Sequence, residues 1–229
     1  VTISALVSAQ GGVGATGGQS EGGSVRIDAG AGGVAIEANI NATGGASGAG
    51  RDGGAIVVER AGDVTVASSV SLLPKSDNGG GSGGDVLLTS GGALAIGDAL
   101  IDARGHYAGS NQGTGASVTL AACNLTIAAG AEIDARGYDG GAIELTGYET
   151  LAVSDQSSLT AVGSGQGENG RISLAYRVEG ACAAAPSRGC NPATCTTGGT
   201  CTSPVSRECT TDNDCTECPT GVCDAGNPD

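Results

Sequence analysis

Residues 115–137 read GASVTLAACNLTIAAGAEIDARG, and the spacing of their aliphatic side chains decides the fold. Val118 and Leu120 stand two apart, as do Leu125 and Ile127, and Ile133 and Ala135. Side chains of an extended segment alternate between its two faces, so each pair puts both members on one side of a short strand. Small and polar residues separate the pairs, and Arg136-Gly137 leads on into a glycine-rich loop. The stretch therefore predicts three strands, joined by tight turns and followed by one open corner.

The same cassette recurs on both sides, which makes it one unit of an array. First pairs fall at Val25/Ile27, Ile56/Val58, Val86/Leu88, Val118/Leu120, Ile143/Leu145 and Ile172/Leu174, spaced by 31, 30, 32, 25 and 29 residues. Second pairs are Val1/Ile3, Val34/Ile36, Val64/Val66, Leu94/Ile96, Leu125/Ile127 and Leu151/Val153. Third pairs are Val7/Ala9, Ile40/Ala42, Val70/Leu72, Ile101/Ala103, Ile133/Ala135 and Leu159/Ala161. The length variation sits in the loop after the third strand. A constant three-strand core with one variable corner predicts a right-handed parallel β-helix of about six coils over residues 1–180. Its coils stack at about 4.8 Å, so that like residues form columns.

Composition points the same way. The chain has 44 Gly, no Phe, Trp or Met, and four Tyr, which rules out an ordinary aromatic-rich core. Val and Ile suit strands, and each buried aliphatic side chain contributes about 1.5–3 kcal/mol. A net charge of -14 argues against nucleic acid as a partner. No stretch is long and apolar enough to read as a membrane span or signal segment. With no Met in the chain, N-terminal processing or a fragment is expected.

The loops at 10–24, 44–54, 75–84, 104–115, 136–141 and 163–170 leave the same corner of successive coils and should form one ridge. The expectation is solvent-facing turns; a packed glycine-rich layer or a partner-binding edge are the alternatives. Pro74-Lys75 ends its strand, since proline has no N–H for a ladder.

The motif G-G-x-[VI]-x-[LI] followed by I-x-A-x-G, seen in GGAIELTGYETLAV and LTIAAGAEIDARG, resembles the glycine-rich β-helix repeats of secreted bacterial haemagglutinins and autotransporter passengers. The resemblance covers residues 1 to about 178. It implies the architecture and an extracellular or cell-surface setting. Its families include adhesins, filaments and polysaccharide-active proteins.

After Gly180 the composition breaks. Eight of nine cysteines and five of six prolines lie beyond it, and only Val205 and Val222 remain as large aliphatics. Residues 181–229 cannot build a core, so an irregular tail held by disulfides among Cys182, Cys190, Cys195, Cys201, Cys209, Cys215, Cys218 and Cys223 is expected, in an oxidising compartment. CTTDNDCTECPTGVCDAGNPD is similar to short Cys-rich modules of bacterial surface proteins. Zinc competes through Cys215-x-x-Cys218, but the tail has one such pair and no histidine, so no metal or cofactor is expected. Eight cysteines allow 105 pairings, among which spacing does not choose. Cys123 is the odd one, in the turn between first and second strands. It reads as a buried free thiol, as a partner of a tail cysteine, or as an interchain bond.

Three places have residues suited to chemistry. Asp102-Ala-Arg104 and Asp134-Ala-Arg136 form a ladder one coil apart, near His106. On the outer face it could serve a polysaccharide lyase or hydrolase. The favoured reading is a surface charge ladder in which each Asp pairs with the Arg of the next coil. Gly80–Leu88 fits the calcium nonapeptide once, and that motif binds calcium in tandem. Asn41-Ala-Thr43 and Asn124-Leu-Thr126 are sequons, read as turn residues.

The chain thus reads as a non-enzymatic extracellular structural protein, a subunit of a surface filament or fibrous adhesin. It would assemble head-to-tail through edge residues Val1, Ile3, Val7, Ile172, Leu174, Tyr176 and Val178. The partner is a second copy, with a host surface or a polysaccharide as a further one. A β-helix polysaccharide lyase or hydrolase, or a carbohydrate-binding module, is the alternative.

Overall fold

A computed structural model describes residues 1–12, 21–45, 51–77, 80–108 and 111–176, together with the short strands at 200–202, 207–208 and 222–224. Among these residues every regular element is a strand, and the body is a parallel β-solenoid of about five complete turns with a partial turn at each end. First strands are β3 (Val25–Asp28), β6 (Ile56–Ala61), the opening halves of β9 (Val86–Ile96), β13 (Ser117–Ile127) and β15 (Ala142–Val153), and β17 (Arg171–Tyr176). Second strands are β1 (Thr2–Ile3), β4 (Val34–Ile36), β7 (Val64–Val66) and the closing halves of β9, β13 and β15. Third strands are β2 (Val7–Ser8), β5 (Ile40–Asn41), β8 (Ser71–Leu73), β10 (Leu100–Asp102), β14 (Glu132–Asp134) and β16 (Ser158–Thr160), which form a six-stranded sheet of their own.

The aliphatic pairs are the core. Leu88, Leu120 and Leu145 stack in register, as do Ile96 and Ile127, and all are buried. Two local expectations change. The turn predicted between first and second strands is, in the middle coils, a bend inside one long strand, with the register slipping between Ala122 and Asn124. The third pair of the second coil is also displaced: Leu72 stands beside Ile40 and Ile101, so the aligned pair is Leu72/Pro74 rather than Val70/Leu72. The preceding turn is longer than in the coil before it, six residues from Val66 to Leu72 against four from Ile36 to Ile40, and it passes through Ser69 at φ 64, a left-handed conformation.

The glycine loops are not loose turns in their described parts. Their outgoing arms form a ladder, Gly11 N–H to Thr43 O, Gly44 to Lys75, Ser76 to Arg104 and Gly105 to Arg136. Their returning arms form a second, with Gly22 donating to Asp52, Gly53 to Ser82, Gly83 to Thr114 and Gly140 to Glu168. Each corner is then closed within its coil, by Gly54 N–H to Ala42 O, Gly84 to Pro74 and Gly141 to Ala135. This is the packed glycine-rich layer. A Cβ on Gly84 would lie 1.8 Å from Gly54 O, and one on Gly53 1.6 Å from Pro74 O, so the G-G doublet is required by backbone approach.

A hairpin of β11 (Tyr107–Ala108) and β12 (Asn111–Gln112) decorates one loop. In the tail, β18 (Thr200–Thr202) pairs antiparallel with β19 (Arg207–Glu208) and β20 (Val222–Asp224), placing Cys201 opposite Cys223.

Candidate functional site

The charged ladder lies where the third strands leave the body. The seats after Ile101 and Ile133 are taken by Asp102 and Asp134, whose side chains turn away from the interior. They were expected on an open outer face, yet both residues are 1% exposed. Each carboxylate is roofed by the arginine two residues on. Arg104 Nε and an Nη lie 2.7 and 2.8 Å from the Asp102 oxygens, and Arg136 reaches Asp134 at 2.5–3.0 Å. The Arg136 backbone N–H adds a bond of 3.0 Å to Asp134. Pairing is therefore within a coil first. The diagonal contact exists as a longer one, Arg104 Nε to Asp134 at 3.6 Å. Lys75 of the preceding coil, which the charge pattern of the two repeats did not reveal, stands 2.9 Å from Asp77 and 3.7 Å from Asp102.

The result is an alternating column, Lys75, Asp102, Arg104, Asp134, Arg136. Hydrogen bonding to Asp102 raises the affinity of Arg104 for its proton well above the ordinary guanidinium range, against the opposing effect of burial. Asp134 raises that of Arg136 in the same way. A general acid or base must present an oxygen to its substrate. Here both carboxylates are chelated and covered, and the chemistry of the column is mutual neutralisation.

Polar side chains elsewhere tie coil to coil. Asp52, Asp63, Asp85 and Asp139 accept backbone N–H groups of Ser82, Ala93, Ser117 and Glu168, one coil on, at 2.7–3.0 Å. Asn39 accepts from Ser71 in the same way. Their signal in the sequence is an Asp or Asn beside a turn, where the strand ladder lapses and amides need another acceptor. Asp85, the acidic residue of the calcium-like nonapeptide, is thus engaged with Ser117. No group of three metal-ligating side chains gathers among the described residues. Of the sequon residues, Asn41 accepts the Thr43 N–H at 3.0 Å and Thr43 donates to Leu73 O, while Asn124 joins Thr150 and Glu149 of the next coil.

Cys123 is buried at the strand bend and packed against Tyr148. Its Sγ is 2.8 Å from Gly91 O. Cys182, Cys190, Cys195, Cys209, Cys215, Cys218 and Val178, and the side chains of Cys201 and Cys223, lie outside the described residues, and with them the pairing of Cys123.

The ends of the body differ from its middle. Ile172, Leu174 and Tyr176 occupy the seats stacked on Ile143, Leu145 and Gly147, yet are 44, 54 and 57% exposed. At the other end Val1 and Leu6 are exposed and Ile3, Val7 and Val25 half-buried. The sequence-derived edge residues, Val178 aside, thus belong to the first and last described strands of their columns.

No protein-family model, curated protein or solved structure matches the chain. Its fold defines a class, the parallel β-solenoids, and function must be argued from this chain's own surfaces. Among the described residues no helix is long and apolar enough to cross a membrane.

Proposed function

We propose that this chain is an extracellular structural protein, the subunit of a surface filament or fibrous adhesin. Its right-handed solenoid, the hand that parallel crossovers prefer, would polymerise head-to-tail. The observation that carries this reading is the apolar edge of β17, whose Ile172, Leu174 and Tyr176 continue buried columns but stand exposed. Open strand edges recruit further strands, and a contact between unlike ends does not close on itself. A tail cross-linked through its own cysteines would brace the surface of the fibre in an oxidising compartment. That the ladder carboxylates are covered fits a structural role better than a catalytic one.

Deletion of Val1 to Ala9 should leave a folded body that no longer polymerises, while the intact chain forms fibres visible by electron microscopy. Intact protein that stays monomeric at high concentration would end this reading, as would a deletion variant that forms the same fibres.

A further inference from the structure

The three described strands of the tail form one antiparallel sheet, with β18 at its centre, β19 on one side and β20 on the other. Register sets Thr200 across from Glu208 and Asp224, Cys201 across from Arg207 and Cys223, and Thr202 across from Val222. Successive residues of a strand alternate between faces, so Arg207, Cys201 and Cys223 make one row on one face. Thr200 and Thr202, with Glu208, Asp224 and Val222, belong to the other. Two of the eight cysteines that follow Gly180 thus meet on the same rung.

Residues directly opposite in an antiparallel pair have Cα atoms about 4.5 or about 5.5 Å apart, according to whether they exchange hydrogen bonds. A disulfide spans Cα separations of about 4.4–6.8 Å, so either kind of rung is within its reach. The Cβ atoms of opposite partners stand about 4.5–5.5 Å apart on a shared face, and a bond draws them in to about 4 Å. A slip of one residue would set Cys201 against Val222 or Asp224 and lose the pair.

We propose that Cys201 and Cys223 form a disulfide. It is one definite bond of the cross-linked tail proposed above, and it rests on that reading. Its formation joins the two sulfurs and releases two electrons and two protons. A disulfide of a thiol oxidoreductase, or a small-molecule disulfide, takes them up and becomes two thiols.

The bond closes a loop over residues 202–222, which holds Cys209, Cys215 and Cys218, while Cys182, Cys190 and Cys195 lie before it. Three is odd, so in a fully bonded tail at least one bond must leave the loop for the stretch ahead of it. The 105 pairings of eight cysteines fall to the 15 of six, and every one of the 15 ties the loop to residues 182–195. A disulfide sulfur is no thiolate, so Cys201 and Cys223 are also withdrawn from any zinc site built around Cys215-x-x-Cys218.

The test uses the full chain, made in an oxidising compartment and alkylated in denaturant without reductant, so that only free thiols take the label. Mass spectrometry counts the labels and locates them in the unaltered chain, in Cys201→Ser, in Cys223→Ser and in the double variant. Each single variant should carry one label more than the unaltered chain, on Cys223 and on Cys201 respectively, and the double variant should return to the unaltered count. A label gained elsewhere, a double variant that gains two, or an unaltered chain labelled on Cys201 or Cys223 alone among the tail cysteines overturns this pair and leaves the cross-linked tail standing. Peptide mapping of the unreduced, unaltered chain reads the same bond without a substitution, and either cysteine linked to a third overturns it there. Labelling of all eight tail cysteines, or stoichiometric zinc, overturns both the pair and the cross-linked tail.

Discussion

Leu120 and Leu174 carry the same side chain in the same inward column, and one is fully buried while the other is more than half exposed. The middle coils and the coil of β17 share a sequence pattern, but among the described residues β17 pairs with a strand on one side only. In a stacked fold the pattern assigns the seat, and the adjacent coil supplies the burial. An inward residue at an end is thus an unfinished contact.

The comparison is broken most severely by a charge in the middle. Ile127→Asp places a carboxylate among Leu125, Ile96 and their stacked neighbours, with no partner within the column. The cost of an unpaired buried charge exceeds the whole stability of most domains, so soluble folded protein is not expected. Leu174→Asp, whose carboxylate reaches water, should shift monomer stability by at most about 0.5 kcal/mol. Limited proteolysis of the two variants side by side checks this. Equal resistance would remove the column assignment.

A second contrast lies between glycines. Gly84→Ala drives a methyl group to within 1.8 Å of Gly54 O, and both are backbone in a layer hydrogen-bonded on two sides. The coils must part locally, at about 2–4 kcal/mol, comparable to overpacking a core. Gly12→Ala meets nothing within 4 Å and should be neutral or slightly stabilising. Urea midpoints of the two variants measure the difference. A neutral Gly84→Ala would mean that the loop arms are spaced more widely than the ladder implies.

These contrasts mark what the sequence could and could not disclose. Alternation revealed the strands because a period of two, repeated at about thirty residues, has one cheap solution: a stack with aliphatic columns. It could not choose between Val70/Leu72 and Leu72/Pro74, since Val70, Leu72 and Pro74 sit two apart and all three are buried. Only register with Ile40 and Ile101 decides between them. Glycine is ambiguous for a similar reason. The same residue serves a mobile turn and a close backbone approach, and the contact that distinguishes them lies a coil away. Asp102 and Asp134 read as surface groups because they are charged, but each arginine two residues on folds back over its carboxylate.

The smallest effect expected is at that ladder, and it tests whether burial or charge governs it. Asp134→Ala removes the acceptor of the Arg136 N–H and of its guanidinium, and the 3.6 Å contact from Arg104. Against this stands recovered solvation: the Arg136 side chain is 47% exposed and simply returns to water. No charge is stranded in the interior, so the penalty should be that of a lost hydrogen-bonded pair and one orphaned amide, about 1–3 kcal/mol. The 3–5 kcal/mol of a fully buried broken pair is not expected. Asp134→Asn keeps an oxygen for the amide and should recover about half. The exposed pair of Arg26 and Glu59 supplies the control. Glu59→Ala should cost about 0–1 kcal/mol and lose that cost in high salt, whereas the Asp134 effect should persist, since the covered oxygens are screened far less. Denaturant midpoints of the three variants at low and high salt decide it. If Asp134→Ala and Glu59→Ala respond alike to salt, the ladder carboxylates are in contact with solvent and their closure by arginine is wrong.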